Sequence, residues 1–467
     1  MTDIITRFAP SPTGNLHLGG LRTALVNFII SKQESTSKFF LRIEDTDKER
    51  SNKIYTQNII ESLDWLNIKH DTKIQFQSQR IKRHKEVAEL LLKNKYAFKC
   101  NCDEKKLEEK RDYIKKHKLK IKKICTTCKN DKKIQNLKSE YAIRIQIPTE
   151  GETIINDLVQ GKVSTNNIEL DDYIILRKDG SPTYMLSVVV DDNDLGINLI
   201  IRGDDHLNNT FRQKYIYEYM KWHIPNYAHI SLIHGEDGSK LSKRHGAINI
   251  IDLKKKGYLP EAIINNLILL GWSPKNQQNE IISLQEIINK FDIKEISKSS
   301  SIFSFDKLNF FNNYYLRLEK NLNYFIDYCK KNDELNFYLN EDQNKMLRLF
   351  EIYKKDLNYY EEILKYTKVY FDENYEINQD HEKFDIIFEN NFSIFLDGLS
   401  NLENWSKYEI EEFVKNFLKQ KNIKFPIFAK PLRFILTNYY QGPSISDIFY
   451  ILGKKNTLRR LNQYIKD

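Results

Sequence analysis

The 467-residue sequence predicts an α/β protein: a parallel sheet split by an inserted domain and followed by an all-α C-terminal region. Three observations lead there. The first fifty residues alternate strand, helix and strand signals. Apolar strand signals return only near residue 185, after a long lysine-rich stretch. From about residue 308 the pattern changes to helical periodicity, with Tyr, Phe, Leu and Ile set between charged positions.

The elements follow in order. Ile4 to Ala9 is a short apolar run that ends at the turn cluster Pro10-Ser11-Pro12-Thr13-Gly14. Leu21, Ala24, Leu25, Phe28 and Ile29 then keep the spacing of an amphipathic helix. Phe39 to Ile43 reads as a second strand, opening onto Glu44-Asp45-Thr46-Asp47. A strand–helix–strand unit favours parallel pairing with sites at the strands' C-terminal ends, which places residues 10–20 and 44–47 on one rim. Met185 to Val190 and Ile197 to Ile201 read as further strands of that sheet, opening onto Asp191-Asp192 and Arg202-Gly203-Asp204-Asp205-His206. The expected divisions are 1–84 and 185–239 for the split sheet, 85–184 for the insertion, 240–322 for a loop and connecting region, and 323–467 for the helices.

Composition narrows the class. Hydrophobic residues make up 40% and charged residues 29%, the balance of an ordinary globular chain. Twenty-seven Tyr, 26 Phe and 4 Trp argue against global disorder, and five cysteines in this length do not form a secreted disulfide scaffold. No leader pattern opens the sequence and no apolar run reaches the length of a membrane span, so a cytoplasmic protein without a membrane partner is expected. Net charge is +9, yet residues 80–133 hold 20 Lys/Arg against 8 Asp/Glu, leaving the remainder slightly acidic. Such a block suits phosphate-bearing partners, and equally reads as a solvated lysine face.

Two segments suit nucleotide chemistry. His17-Leu18-Gly19-Gly20 sets a histidine and paired glycines at a helix start, where glycine admits close approach and the helix N-terminus favours an anion. Lys240-Leu241-Ser242-Lys243-Arg244 sets two lysines three apart among Gly235, Gly238 and Gly246, a pattern that suits a polyphosphate. Taken singly, the first is a common turn and the second a common surface loop.

Together they resemble the class I aminoacyl-tRNA synthetases, and specifically bacterial glutamyl-tRNA synthetases. Thr6 to Gly14 and His17 to Gly20 fit the first signature, and Lys240 to Arg244 followed by His245-Gly246-Ala247 fits the second. Leu41 to Asp47, Ile201 to His206, Gly257 to Ala262, Leu270 to Ser273, Phe305 to Leu308, Pro431 to Arg433 and Gly442 to Ser444 extend the likeness over nearly the whole chain. The resemblance implies a Rossmann-like sheet, an inserted acceptor-binding domain, a KMSKS-type loop and a helical anticodon-binding region. It implies a monomer that joins L-glutamate to tRNA(Glu) through glutamyl-adenylate, using ATP with Mg²⁺. By the same resemblance His17, Gly19, Gly20, Asp205, Lys240 and Lys243 serve ATP, with His17 and the two lysines catalytic. Arg7, Ala9, Ser11, Glu44, Tyr184, Val188 and Arg202 serve glutamate: arginines for the side-chain carboxylate, Glu44 for the ammonium. Val188 stands where some relatives carry a polar contact, and the first signature ends in Gly20 rather than a second histidine.

Cys100-x-Cys102, 22 residues and Cys125-x-x-Cys128 present two close thiol pairs, which suit a tetrahedral structural Zn²⁺. Members of the resembled family hold zinc with a C-x-C pair, a later cysteine and a further ligand; Cys128 is the expected fourth ligand here, with His117 as the other candidate. Competing readings are a form that also charges tRNA(Gln) and a catalytically silent tRNA-binding protein. A glutaminyl enzyme would read proline-glutamate-proline-asparagine where this chain has Pro10-Ser11-Pro12-Thr13. A shortened tRNA-modifying relative would lack residues 323–467.

Overall fold

A computed structural model describes residues 3–466 apart from 48, 121, 240, 242–247, 275–278 and 379–382. It divides into two compact units, residues 1–254 with 260–308, and residues 255–259 with 309–467.

In the first unit β1 (Ile5–Phe8) pairs in parallel with β2 (Lys38–Ile43), in the register Ile5 to Lys38 and Phe8 to Leu41. The helix between them, α1 (Leu18–Ser31), is buried on nearly every face, including Arg22, Asn27 and Ser31. Beyond β2 lie α2 (Lys53–Trp65) and the short β3 (Gln75–Phe76), which pairs with β2 and leads into α3 (Ile81–Lys93).

The chain then leaves the sheet. β4 (Ala97–Cys100), β5 (Ala142–Ile145) and β8 (Ile174–Leu176) form a separate antiparallel sheet, with α4 (Glu104–Lys116) and α5 (Lys132–Gln135) between the first two strands. The intervening hairpin β6 (Glu152–Asp157) and β7 (Gly161–Asn166) does not belong to that sheet. It pairs onto the parallel sheet, Asp157 opposite Tyr227, so residues 85–184 contribute strands to both sheets.

The segment read as a strand at Met185 to Val190 is a helix, α6 (Tyr184–Asp194). A continuous apolar run describes a buried helix as well as a buried strand. Asp191, Asp192 and Asp194 crowd the C-terminal end of α6, against the helix dipole, and arginines offset them: Arg80 and Arg83 on Asp194, Arg7 and Arg42 on Asp192. β9 (Leu199–Gly203), α7 (Leu207–Met220) and β10 (Asn226–Ile230) complete the sheet, β9 and β10 running parallel. Asn198 seats β9 beside β1, accepting from Ile5 N at 2.8 Å and donating its own N–H to Ile5 O at 3.2 Å.

The remainder of this unit holds β11 (Ile233–His234) paired with β12 (Ser301–Ile302), together with α9 (Pro260–Leu269) and α10 (Leu284–Lys290), the latter closed by a Ser283/Glu286 capping box. α8 (Ile250–Lys256) and α11 (Phe305–Leu316) lie at the chain crossings between units.

The second unit is helical: α12 (Leu322–Lys331), α13 (Asp333–Glu341), α14 (Gln343–Tyr353), α15 (Leu364–Phe371), α16 (Ile386–Ser400), α17 (Lys407–Gln420), α18 (Phe425–Thr437) and α19 (Ile445–Lys466). Its core is aromatic, as in the stacked pair Phe325 and Phe350 with centroids 4.1 Å apart. Tyr440 also stacks inward, on Phe434, whereas Tyr439 is exposed. Among the described residues no helix is long and apolar enough to cross a membrane.

Gly257 has φ +85°, and a Cβ there would stand 2.5 Å from Tyr360 Cβ and 3.0 Å from Tyr328 Cε2. Gly257→Ala is therefore expected to destabilise the helical unit by about 2 kcal/mol or more, read as an earlier transition in thermal unfolding.

Candidate active site

The C-terminal ends of the parallel strands open into a cleft of about 570 Å³. At one end stands the α1 N-terminus. His17 is its N-cap, and His17 Nδ1 accepts from Gly20 N at 3.2 Å. An imidazole that accepts at Nδ1 carries its proton at Nε2, so the ring can present a donor to an anion. Gly19 lies directly against the ring: a Cβ there would sit 3.2 Å from His17 Nδ1.

Described residues within and after the lysine segment reach this end. Leu241 lines the cleft, Asn249 forms a bridge with His17, and Ile250 N donates to Leu16 O. Lys240 and Lys243 themselves lie outside the described residues.

The other end is a buried charge network. Arg7, on β1, donates from Nε to both oxygens of Asp192, at 3.1 and 3.2 Å. Arg42, fully buried on β2, donates to Asp192 at 2.5 Å and to Glu44 at 3.2 Å. Burial would push the Asp192 carboxyl upward, but the two arginines outweigh it and hold it below the usual carboxylate range. Glu44 goes the other way: burial raises its carboxyl, and Arg42 and Arg7 oppose this only in part.

Arg202, on β9, completes the constellation. Its Nη1 donates to Tyr184 Oη at 3.4 Å, and that hydroxyl lies 3.0 Å from His206 Nδ1. Burial, with Arg202 close by, lowers His206 to about 4, so its ring is neutral at physiological pH.

The cleft thus gathers Arg7, Ala9, Ser11, His17, Gly19, Gly20, Glu44, Tyr184, Arg202 and Asp205. Val188 is not on its wall; one turn along α6 from Tyr184, it is 1% exposed in the core. In the sequence Asp192 is marked only as one of two acids closing an apolar run. The observable signal was the pair itself, since adjacent acids beside valines need buried partners.

Apart from this cleft, Cys100, Cys102, Cys125 and Cys128 converge, all four sulfurs lying within 4.8 Å of one another. Neighbouring Sγ atoms are 3.7, 3.6 and 3.3 Å apart. Four thiolates around one zinc stand about 3.8 Å apart, so the donor set and its spacing fit that ion. Buried Arg144 donates to Cys100 Sγ at 3.2 Å; the Cys125 hydrogen bond, with help from Arg144, holds the Cys100 thiol down to about 4. His117 is elsewhere, exposed, with its ring on Tyr113.

Residues 3–310 match the model described as tRNA synthetases class I (E and Q), catalytic domain, and residues 318–465 match that of an anticodon binding domain. The chain belongs to the class I tRNA synthetases of this group. Relatives of this synthetase include glutamate–tRNA ligase 2 of Ehrlichia chaffeensis, 41% identical with 98% of each chain covered. Glutamate–tRNA ligase 2 of a Wolbachia from Brugia malayi is 39% identical, with 99% of each chain covered. A crystal structure of a glutamate tRNA ligase from Elizabethkingia meningosepticum, in complex with its amino acid, superposes with a TM-score of 0.84 at 28% identity over 99% of both chains. The glutamate-tRNA synthetase of Elizabethkingia anophelis gives 0.84 at 29% over the full length of both. The Rossmann-like sheet and helical C-terminal region expected from the sequence are present in this synthetase.

Glu44 sets a pH expectation. A carboxyl raised by burial protonates at a higher pH than a free one, while Asp192 stays ionised. If Glu44 receives an amino acid's ammonium, KM for that amino acid climbs as pH falls while still above the free-carboxylate region near about 4.3. Glu44→Gln raises KM throughout and removes that limb, as steady-state kinetics against pH will read.

Proposed function

We propose that the chain is a glutamate–tRNA ligase that activates L-glutamate with ATP and transfers it to the terminal adenosine of tRNA(Glu). The observation that carries this reading is one cleft joining a histidine-capped helix N-terminus to a buried Arg7, Glu44 and Arg202 set. The first suits the phosphates of ATP, and the second an amino acid with an anionic side chain.

Glutamate's ammonium lies against Glu44 and its side-chain carboxylate against Arg7, Arg202 and Tyr184. Its α-carboxylate oxygen attacks the α-phosphorus; the bond to the bridging oxygen breaks and pyrophosphate leaves. His17 Nε2–H donates to a phosphate oxygen, and the backbone at Gly19 and Gly20 leaves room for the nucleotide. Lys240 and Lys243, in the segment that precedes Asn249, neutralise the departing pyrophosphate. Asp205, on the rim, is assigned to ATP binding. Mg²⁺ accompanying ATP supplies further charge neutralisation when bound. A ribose hydroxyl of the tRNA then attacks the acyl carbon, its proton is lost and AMP leaves. No side chain forms a bond to substrate; the protein positions reactants and stabilises charge.

Contact with tRNA is supported by a basic pocket lined by Arg111, Lys115, Lys118, Lys120 and Lys122 of the inserted segment and by Arg212 of α7, with Glu169 and Asp171 as its acids among the described residues. The four cysteines are assigned to a structural Zn²⁺, with Cys128 as the fourth ligand. Exposed Tyr439 is the aromatic of residues 439–440 available to an unpaired base.

The deciding experiment follows labelled glutamate into purified tRNA(Glu) and tRNA(Gln) in separate reactions. Charging of tRNA(Glu) is expected, and binding of tRNA without charging would overturn the reading in favour of a silent RNA-binding protein. Charging of both would establish the form of broader tRNA range. His17→Ala is expected to lower kcat by roughly 10²- to 10³-fold with KM for glutamate little changed. Elemental analysis should find one zinc per chain, lost in Cys128→Ser and retained in His117→Ala.

A further inference from the structure

Arg7 and Arg202 are both buried, yet they are held by opposite means. Arg7 is paired with the carboxylate of Asp192. Among the described residues, every hydrogen bond that Arg202 makes ends on a neutral acceptor. Its Nε donates to His229 Nε2 at 3.2 Å, and its Nη2 to Thr210 Oγ1 at 2.7 Å and Gln213 Oε1 at 2.9 Å. With Nη1 on Tyr184 Oη, four of the five guanidinium N–H groups are engaged, which leaves one on Nη1 for a ligand. Among the described residues no carboxylate lies within ion-pair distance of Arg202, so its charge is not neutralised by direct contact.

The arrangement depends on the state of His229. It stands opposite Arg202 in the parallel register of β10 and β9. A second donor, the Thr210 hydroxyl, lies 3.1 Å from the same Nε2. His229 Nε2 can accept only if the ring proton is on Nδ1. Asp157, at the end of β6, enforces that tautomer: its Oδ2 is 2.6 Å from His229 Nδ1, and both of its oxygens accept from the His229 backbone N–H at 3.1 Å. Asp157 Oδ1 also accepts from Val159 N at 2.9 Å and Gln160 N at 2.8 Å. Surrounded by donors, the carboxylate stays ionised, while burial lowers His229 and keeps its ring neutral.

We propose that Asp157 and His229 are positioning residues that lock an acceptor onto Arg202, fixing its fork without spending its charge, so that the charge selects a substrate carboxylate over the neutral amide. The inference rests on the assignment of Arg202 to the glutamate side chain.

Asp157→Asn tests it sharply. The amide oxygen remains where three backbone N–H groups converge, which puts Nδ2–H in front of His229 Nδ1. His229 then takes its proton on Nε2 and turns a donor toward Arg202, a reversed tautomer of the kind known to disable Asp–His pairs. The experiment measures KM for glutamate and for ATP, together with the ratio of glutamate to glutamine activation, in the full-length enzyme. The expected result for Asp157→Asn is a rise of about tenfold in KM for glutamate, the order of one lost hydrogen bond to a charged group, with KM for ATP within about twofold. The preference for glutamate over glutamine falls with it. In a His229→Gln background, whose amide has no tautomer to reverse, adding Asp157→Asn changes KM for glutamate little. Nitrogen NMR of labelled histidine should show Nδ1–H for His229 in the parent and Nε2–H in Asp157→Asn.

Arg202→Gln separates the substrate contact from the positioning role. If it leaves KM for glutamate unmoved, the site assignment itself fails. If it raises KM while Asp157→Asn does not, or if Asp157→Asn lowers kcat with both KM values unchanged, the positioning role is overturned. Should Asp157→Asn not fold, the glutamate-selective rise in KM is sought in Thr210→Val, which removes a neighbouring neutral acceptor of Arg202; its absence there would overturn the neutral-anchor inference.

Discussion

The carboxylate of Asp192 is the constraint on which the charged end of the cleft, proposed for glutamate, depends. It is wholly buried and shared by two buried arginines, Arg7 and Arg42, of which Arg42 also reaches Glu44. Removing one partner of such a network leaves a charge stranded without water, at a typical cost of 3–5 kcal/mol, so the ions stand or fall together. Counting Arg7, Arg42 and Arg202 against Asp192 and Glu44 leaves one positive charge in excess. Free glutamate, with two carboxylates and an ammonium, brings one negative charge in excess. The network is therefore one charge short of balance, by the amount and sign that this substrate supplies.

The sheet explains how five positions distant in sequence come together. In the spatial order β2, β1, β9, β10, β6, the C-terminal parts of neighbouring strands deliver Glu44, Arg7, Arg202, His229 and Asp157 in turn. Parallel pairing gives those ends a common rim, the general place for a ligand in an open α/β sheet. α6 brings Asp192 to Arg7 and Tyr184 to Arg202, two turns apart on one helix. Because β6 arrives from within the inserted segment, the insertion is not merely attached to the parallel sheet: its Asp157 holds His229, on which Arg202 donates.

Much of this was legible. The first strand–helix–strand, the glycine and histidine at the α1 start, and the change to helical periodicity all follow from local pattern, and local pattern is what a sequence displays. α6 was not legible, for two reasons that compound. Its apolar run lacks a helical gap because nearly every face is buried, and its acidic C-terminal end contradicts the dipole rule that usually marks a helix. The arginines that resolve the contradiction lie more than a hundred residues away in the chain, and no local rule reaches them. Asp157 and His229 were hidden in the same way, each an ordinary residue until β6 and β10 meet. Val188 shows the converse: its position in a resembled pattern put it near glutamate, while its side chain in this protein is packed in the core. The four cysteines were legible because their pairs are local and only one loop has to close.

The two ends of the cleft do their work with different materials. At the nucleotide end the fixed elements are main-chain: a helix N-terminus, two glycines that admit close approach, and a histidine whose tautomer is set by the backbone N–H of Gly20. Such groups present partial charges already oriented by the helix, and they suit a phosphate chain that every ATP-dependent enzyme must hold. At the end proposed for the amino acid the elements are side chains with full charges, buried and mutually neutralised except at Arg202. A main-chain site cannot tell a carboxylate from its isosteric amide with much force, because both accept hydrogen bonds. A buried, uncompensated guanidinium can, since the amide leaves it without a counter-charge in a low-dielectric setting. Holding that guanidinium by a histidine, a threonine, a glutamine and a tyrosine, rather than by an acid, is what preserves the discrimination.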